Sequence, residues 1–204
     1  SDVISKSNMT LSSVELLNEE SVPKDAAAII INAPQKDFNK NDAQKVIDYL
    51  QKGGKAIIVG MHSETEMPNF ASILDTYGVS LTTGPIADND AQHYYNMGGP
   101  LYLLPNVNSS SYTGSLSGGY VYLPISLGIN YPQNSTTDDT ESTEESKTTY
   151  TSLLDTSDDA VAKNNPNSMQ DYGYEDGDDK GPFSVGLAVE DKVDDDHTLS
   201  LIHI

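Results

Sequence analysis

The stretch from Ala26 to Val59 reads AAAIIINAPQKDFNKNDAQKVIDYLQKGGKAIIV and carries the clearest structural signal in the chain. The apolar run Ala26 to Ile31 is typical of a strand covered on both faces, as in a parallel sheet. A second apolar run, Ala56 to Val59, follows a segment with helical periodicity. The stretch therefore predicts two parallel strands joined by a helix in a right-handed crossover.

The helix between these strands has recognisable ends. Asn39 is placed to cap its first turn, and Asp42 lies three residues later, near the positive end of the helix dipole. Gly53 and Gly54 supply a left-handed stop. One apolar face is formed by residues at helical spacing, namely Ala43, Val46, Ile47 and Leu50.

Further elements follow on both sides of this unit. A second helix is expected from Pro68 to Tyr77, and a strand from Val79 to Thr83. Upstream, the pattern from Leu11 to Leu17 predicts another strand. This order predicts an α/β fold with a mostly parallel sheet flanked by helices.

The chain becomes richer in strand patterns after residue 84, and only Asp158 to Lys163 suggests a short helix there. The strand-like segments are Leu101 to Leu104, Gly119 to Ile129, Thr149 to Leu154, Phe183 to Val189 and Leu199 to Ile204. We divide the chain into an α/β core (1–132), an acidic disordered loop (133–147) and C-terminal strands (148–204). These strands either complete the same domain or form a small β-rich lobe.

Composition excludes several classes of function. The 204 residues include 31 acidic side chains against 11 basic ones, all lysine, for a formal net charge of -20. Such a surface repels phosphate backbones, so we expect no nucleic-acid partner. The absence of cysteine excludes disulfides, thiolate metal sites and a cysteine nucleophile. No apolar run is long enough to span a bilayer, and no signal-peptide pattern opens the chain.

Several motifs occur in an order that resembles a known family. They include Val22 to Pro34, Tyr49-Leu-Gln-Lys-Gly-Gly-Lys55, Asn69 to Gly78, Gly84 to Asp88, Leu101 to Pro105, Leu153 to Ser157 and Gly181 to Val189. Together they resemble the auxiliary extracytoplasmic domain of gliding-motility-associated (Gld-type) ABC-transporter systems, over most of residues 14–190. The family often has a His-Pro or His-Glu pair near residues 110–116, where this chain has Ser111-Tyr112, so no role for that His is carried over.

The resemblance implies a three-layer sandwich similar to class I glutamine amidotransferases and flavodoxin-like folds, without the amidotransferase catalytic residues. It also implies an ABC ATPase and a permease as partners. The domain would lie on the extracytoplasmic face of the cell membrane, anchored by hydrophobic helices outside these 204 residues.

The sequence offers no convincing catalytic set. A serine hydrolase would need Gly-x-Ser-x-Gly at a strand-to-helix turn, and the nearest string, Gly114 to Gly118, lacks a central serine. We therefore expect a noncatalytic protein that needs no cofactor and acts by protein contact or ligand binding. The alternative is a solute- or metal-binding module that uses His62, Glu64 and Glu66, which follow the strand Ala56 to Val59 at the edge where open sheets bind ligands.

Two other groups of residues are candidate sites. Asp176, Asp178 and Asp179 lie in an acidic run that suggests weak Ca²⁺ binding, although no complete EF-hand register fits and a plain acidic loop before a strand is the favoured interpretation. Tyr94, Tyr95, Tyr120 and Tyr122 belong to a tyrosine-rich region. Such rings suit a contact surface, and they are also common in half-buried strands.

The last six residues, Leu199 to Ile204, have two interpretations. They follow the pattern of a strand, and the resembled family has a strand at this place with the chain continuing beyond it. They also resemble a translated sequencing adapter, which would make them foreign to the natural chain. Both interpretations stay open at this point, and no site is assigned to His203.

Overall fold

The computed structural model describes residue 6, residues 9–116, 119–133, 148–164 and 172–192, and the backbone of residues 198–203. The acidic segment 134–147 lies outside the described residues. Two α-helices are present in this part of the chain, α1 (Lys40–Gln51) and α2 (Pro68–Asp75), with short 3₁₀ turns at Leu16–Asn18 and Gly114–Leu116. No helix of the described residues has the length and apolar character needed to cross a membrane.

Twelve strands are described. The first six are β1 (Ile29–Asn32), β2 (Ala56–Val59), β3 (Ser80–Asp88), β4 (Tyr102–Leu103), β5 (Asn106–Val107) and β6 (Leu123–Pro124). The others are β7 (Leu127–Asn130), β8 (Thr148–Asp155), β9 (Ala160–Ala162), β10 (Asp179–Lys180), β11 (Ser184–Lys192) and β12 (Thr198–His203).

Ten of these strands form one sheet, with the order β1-β2-β12-β11-β7-β3-β9-β10 and with β8 and β5 branching from β11. The expected β1-α1-β2 unit is present, and β1 pairs with β2 in parallel. Strand β12 also pairs with β2 in parallel. All the other strand pairs in the described residues are antiparallel, including β11 with β8 and β3 with β7.

The prediction of a mostly parallel, flavodoxin-like sandwich is therefore wrong, because the sheet is mostly antiparallel and only two α-helices are described. Parallel neighbours need a long crossover, usually a helix, whereas antiparallel neighbours need only a turn. After β3 the described chain contains no α-helix. The strands of residues 80–192 consequently run back and forth, and those of residues 148–192 join the same sheet as β3 and β7.

Two local predictions are also wrong. The segment from Leu11 to Leu17 forms no strand and ends in a 3₁₀ turn, and its residues are mostly exposed. The segment from Asp158 to Lys163 is not a helix, because Ala160–Ala162 pairs with β3 as β9 and all three residues are buried. Burial within the sheet outweighs the weak helix preference of this short run.

The helices cover one face of the β1-β2 end of the sheet. Buried residues of both helices share one core cluster with Ile31, Ile58 and Leu187. Side chains alternate along a strand, so Ile30 and Ile57 lie on the opposite face, where they are 44% and 37% exposed. A second cluster, which includes Ile86, forms the core of the antiparallel part.

Helix α1 begins as the sequence predicts, because the side chain of Asn39 accepts a hydrogen bond from the backbone N–H of Asp42 at 2.9 Å. Helix α2 is capped from a distance. Its N-cap residue, Met67, provides no side-chain bond. Instead the Asp37 carboxylate accepts the backbone N–H groups of Asn69 at 3.1 Å and Phe70 at 2.8 Å. Asp37 therefore ties the β1-α1 loop to the start of α2.

These bonds decide the charge state of Asp37. Burial of the carboxyl acts to raise the pKa of Asp37, but the hydrogen bonds from the Phe70 and Asn69 backbones outweigh it. The pKa therefore lies below its ordinary value of 3.8. The carboxylate form is the one that caps the helix.

Replacing Asp37 with Ala should lower the free energy of unfolding by about 1–2 kcal/mol, because two N–H groups of α2 lose their acceptor. Folding lowers the pKa of Asp37, so the ionised carboxylate stabilises the folded state at pH values above the unfolded-state pKa. That contribution is lost as the pH falls through the folded-state pKa. Urea denaturation from neutral pH to acid pH measures this. Asp25→Ala, at an exposed position, is the matched control, and an equal loss in both variants would contradict the capping role.

Candidate functional site

A crevice of about 230 Å³ lies at the carboxyl ends of β1 and β2, facing the turn between β6 and β7. Its walls come from the ends of these strands, from that turn and from β11. The lining residues are Ala33, Val59, Gly60, Met61, Leu123, Pro124, Ile125, Ser126, Leu127 and Val185. The residues directly after β1 and β2, Ala33 and Gly60-Met61, are uncharged, and so is the Ile125-Ser126 turn between β6 and β7.

Two lining residues have an unusual backbone. Ala33 has φ +45° and Ile125 has φ +52°, and they are the only non-glycine residues at positive φ in the part of the chain that the structure describes. This left-handed region disfavours a β-branched residue above all. Ala33 still donates its N–H to Val59 at 2.9 Å, and Ile125 donates to Leu101 at 2.8 Å. These hydrogen bonds hold Ala33 against the end of β2 and Ile125 against the residue that precedes β4.

The chemistry of the lining is that of a binding surface. None of the lining residues carries an ionisable side chain, and Ser126 supplies the one side-chain hydroxyl. The walls therefore provide apolar contact and backbone polar groups, and they provide no general acid, general base or metal ligand. Such a lining can make apolar contacts and backbone hydrogen bonds.

Three tyrosine rings form a cluster centred on Tyr122, which precedes Leu123 of the crevice wall in the chain. The Tyr122 ring centroid is 5.9 Å from that of Tyr95, edge to face, and 6.1 Å from that of Tyr102, stacked. Of the predicted contact residues, Tyr95, Tyr120 and Tyr122 are exposed, Tyr120 by 89%. Tyr94 is half-buried and its backbone forms a bridge with Leu103. The structure thus brings Tyr95 and Tyr122 together, adjacent to Leu123 of the crevice wall.

Strand β1 leaves an open edge next to the crevice. Ile29 and Ala33 donate N–H groups to the Lys55 and Val59 carbonyls, at 2.9 Å each. Ile30 and Asn32 occupy the alternate positions, so their backbone groups face away from β2. Strand β1 ends the sheet path, and no described strand covers that side.

The residues His62, Glu64 and Glu66 follow the crevice in the chain but do not line it. His62 is half-buried, whereas Glu64 and Glu66 are exposed. Across the described residues, no group of three or more histidine or carboxylate side chains is placed to hold a metal ion. The crevice itself was expected at this end of the strands, but its apolar lining was not.

In the described part of the acidic run, residues 172–180, Asp178 forms an ion pair with Lys163, and both residues are almost fully buried. The Lys163 ammonium lies 2.6 Å from Asp178 and 3.3 Å from Glu175, and it also donates to the Gly173 carbonyl at 2.7 Å. Asp176 is exposed, and Asp179 accepts a hydrogen bond from Asn164. The Lys163 ammonium therefore lies beside Asp178, where the predicted site would need a Ca²⁺ ion.

Both members of the pair are held in their charged forms. Burial acts to lower the pKa of Lys163, but its bonds to Asp178 and Glu175 outweigh burial, and the pKa lies above its ordinary value. Burial likewise acts to raise the pKa of Asp178. The Lys163 ammonium and the backbone N–H groups of Glu175 and Asn164 outweigh it, so the pKa of Asp178 is lowered.

Sequence reasoning missed Lys163, Ala33 and Ile125. The acidic run was one signal for Lys163, because a buried carboxylate in it needs a positively charged partner. The position of Lys163 directly after the apolar residues of β9 was another. Nothing in the sequence indicates positive φ at Ile125, since an isoleucine argues against it.

Comparisons with known proteins show similarity of fold. No family model matches the chain, and no curated protein matches it. Four chains among the solved structures match. One is described as the mmIFT52 N-terminal domain, with a TM-score of 0.51 and 11% sequence identity, over 85% of this chain and 64% of that one. This chain therefore spans less than two thirds of that domain, and the likeness concerns the fold alone.

Replacing Lys163 with Met should lower the free energy of unfolding by about 3–5 kcal/mol, because Asp178 would stay buried without its cation. The loss should be equal in EDTA and in CaCl₂, as measured by urea denaturation. Asp176→Asn, at an exposed position, should change little. A loss at Asp178→Asn that appears only when Ca²⁺ is present would contradict this role and support the calcium prediction.

Replacing Ile125 with Asn should raise the free energy of unfolding by about 1 kcal/mol, because asparagine tolerates the left-handed backbone. Thermal and urea denaturation measure this. Met97→Asn, at an 86% exposed position without positive φ, is the control for removing an apolar side chain. A loss of stability at Ile125→Asn would show that the Ile125 side chain outweighs the backbone strain.

Proposed function

We propose that this chain is a noncatalytic binding domain, part of a membrane protein that works with an ABC transport system on the extracytoplasmic face of the membrane. The association with transport rests on the ordered motifs of residues 14–190 that resemble Gld-type systems. The proposed partners are accordingly the permease and ATPase subunits of such a system. The binding role rests on the crevice.

The observation that carries the binding role is the composition of the crevice together with its strained backbone. Ionisable groups are missing from its lining, and Ala33 and Ile125 are held at positive φ on opposite walls. Backbone strain of this kind costs about 1–3 kcal/mol per residue and is concentrated at functional sites. Two strained backbone positions in an apolar, uncharged lining support the binding of a partner better than they support catalysis.

The adjoining edge of β1 supports a specific mode of contact. An extended segment of a partner can add to an open strand edge, with backbone hydrogen bonds for affinity and alternate side chains for specificity. Ile30 and Asn32 offer the backbone groups. Ile57 and Val59 lie on the same face of the sheet. Ile57 is exposed there and Val59 lines the crevice, so an added strand would have an apolar face to pack on. We therefore propose that the partner contributes an extended apolar segment.

The alternative of a solute- or metal-binding module near His62 has less support. His62 and its neighbouring glutamates lie outside the crevice lining, and an uncharged wall gives a polar solute or a metal ion few partners.

The test is to isolate the natural gene product, expressed with its neighbouring genes, from membranes in mild detergent and to identify copurifying proteins by mass spectrometry. We expect a permease and an ATPase with the wild-type protein. Ile30→Pro removes one outward N–H and leaves the ladder to β2 intact, so it should reduce their recovery at least several-fold.

Ile30→Thr is the matched control, because it shortens the same side chain and keeps the N–H. Recovery should survive in this variant. If the wild-type protein recovers no transport subunits, the proposed association is wrong. If Ile30→Pro recovers them as well as the wild type does, the edge of β1 is not the contact.

A further inference from the structure

We infer that a second cavity, at the opposite end of β1, is a binding site for a small, multiply charged oxyanion such as a phosphate compound. This cavity measures about 380 Å³ and lies where α1 ends and where β1 and β2 begin. Its size is within the range of small-molecule sites. The inference does not depend on the proposed contact at the crevice.

The charge of the lining is opposite to that of the chain. Four of the 11 lysines line this one cavity, Lys24, Lys45, Lys52 and Lys55, against two carboxylates, Glu20 and Asp48. The chain as a whole carries a formal charge of -20. A concentration of cations on one concave surface of so acidic a protein is the feature that points to an anionic ligand.

Three of these lysines are available to a ligand. Lys45 is occupied, since its ammonium lies 2.9 Å from Asp42 and donates to the Leu16 carbonyl at 2.7 Å. Lys24, Lys52 and Lys55 are exposed, and none forms an ion pair with a carboxylate of the described residues.

One side of the cavity has a fixed shape. The Tyr49 hydroxyl donates to the Ala26 carbonyl at 3.2 Å and accepts the Lys55 N–H at 3.3 Å, so the ring spans from α1 to both strand starts. The ring packs directly on Gly54, where an added Cβ would lie 2.4 Å from ring carbon Cε1. Glycine at this position therefore lets the Tyr49 ring approach the backbone of residue 54 directly.

The chemistry of the lining favours a compact oxyanion. A lysine ammonium binds phosphate as a point charge, and the chain has no arginine for a planar, bidentate contact. At physiological salt, charges beyond about 8 Å are largely screened. A small anion inside the cavity is attracted mainly by the local lysines, whereas an extended anionic surface meets the surrounding acidic residues and is repelled.

The test is isothermal titration calorimetry of the whole chain with inorganic phosphate, tripolyphosphate and citrate at low salt. We expect binding that strengthens with the charge of the anion and weakens as NaCl is added. The variant Lys24→Gln/Lys52→Gln/Lys55→Gln removes the charges but keeps long polar side chains. It should weaken tripolyphosphate binding by about tenfold or more.

The matched control is Lys36→Gln/Lys40→Gln/Lys192→Gln, which changes the net charge equally at exposed positions outside the cavity. It should bind tripolyphosphate within about twofold of wild type. An equal loss in both triple variants would show a general charge effect and overturn the site. The absence of heat with all three anions would also overturn it.

Two further measurements sharpen the assignment. Gly54→Ala should displace the Tyr49 ring and weaken binding, with thermal denaturation as the check that the variant is folded.

Binding to phosphate and tripolyphosphate without binding to citrate assigns the site to phosphate compounds, and equal binding assigns it to oxyanions in general. Vesicles of phosphatidylcholine with phosphatidylserine should not bind, and binding through the three lysines would overturn the assignment to a small anion.

Discussion

A strand can return parallel to its predecessor only if the chain between them is long enough to cross the sheet, and in this protein such a connection is provided by α1. This constraint shapes the whole sheet. Because α1 lies between them in the chain, the successive strands β1 and β2 run parallel. Beyond β3 the described chain has no α-helix, and the strands there pair antiparallel with one another, while β12 also lies parallel to β2. The parallel end of the sheet is therefore narrow, and it carries both cavities discussed above.

The two helices pack on one face of this narrow end and leave the other face without a cover. Ile31 and Ile58 are buried under α1 and α2, whereas Ile30 and Ile57, one position away, are exposed. The crevice lies beyond the carboxyl ends of β1 and β2, and the lysine-lined cavity lies before their amino ends. The two proposed sites are therefore separated by the length of the β1-β2 pair, and a ligand at one does not obstruct the other.

Local patterns in the sequence predict the elements between residues 29 and 88 well, because caps, apolar spacing and glycine stops act over a few residues. Strand β2 is found at Ala56–Val59 as predicted, and Asn39 caps α1. Features that depend on distant partners were not predictable in this way. The cap of α2 comes from Asp37 on an earlier loop, and the pairing of Lys163 with Asp178 spans 15 positions. Strand direction in the second half likewise depends on which strands meet, and periodicity does not encode it.

The tyrosine cluster has a spectroscopic consequence. The chain has 12 tyrosines and no tryptophan, so no indole absorbs the excitation energy or dominates the ultraviolet emission. Tyr95, Tyr102 and Tyr122 lie within about 6 Å of one another in succession, close enough for their rings to exchange excitation, and Tyr122 adjoins the crevice wall. The unlabelled protein thus carries its own optical reporter on the segment that leads into β6 and the crevice wall. A change in tyrosine emission intensity or anisotropy would reveal occupancy there without an attached dye.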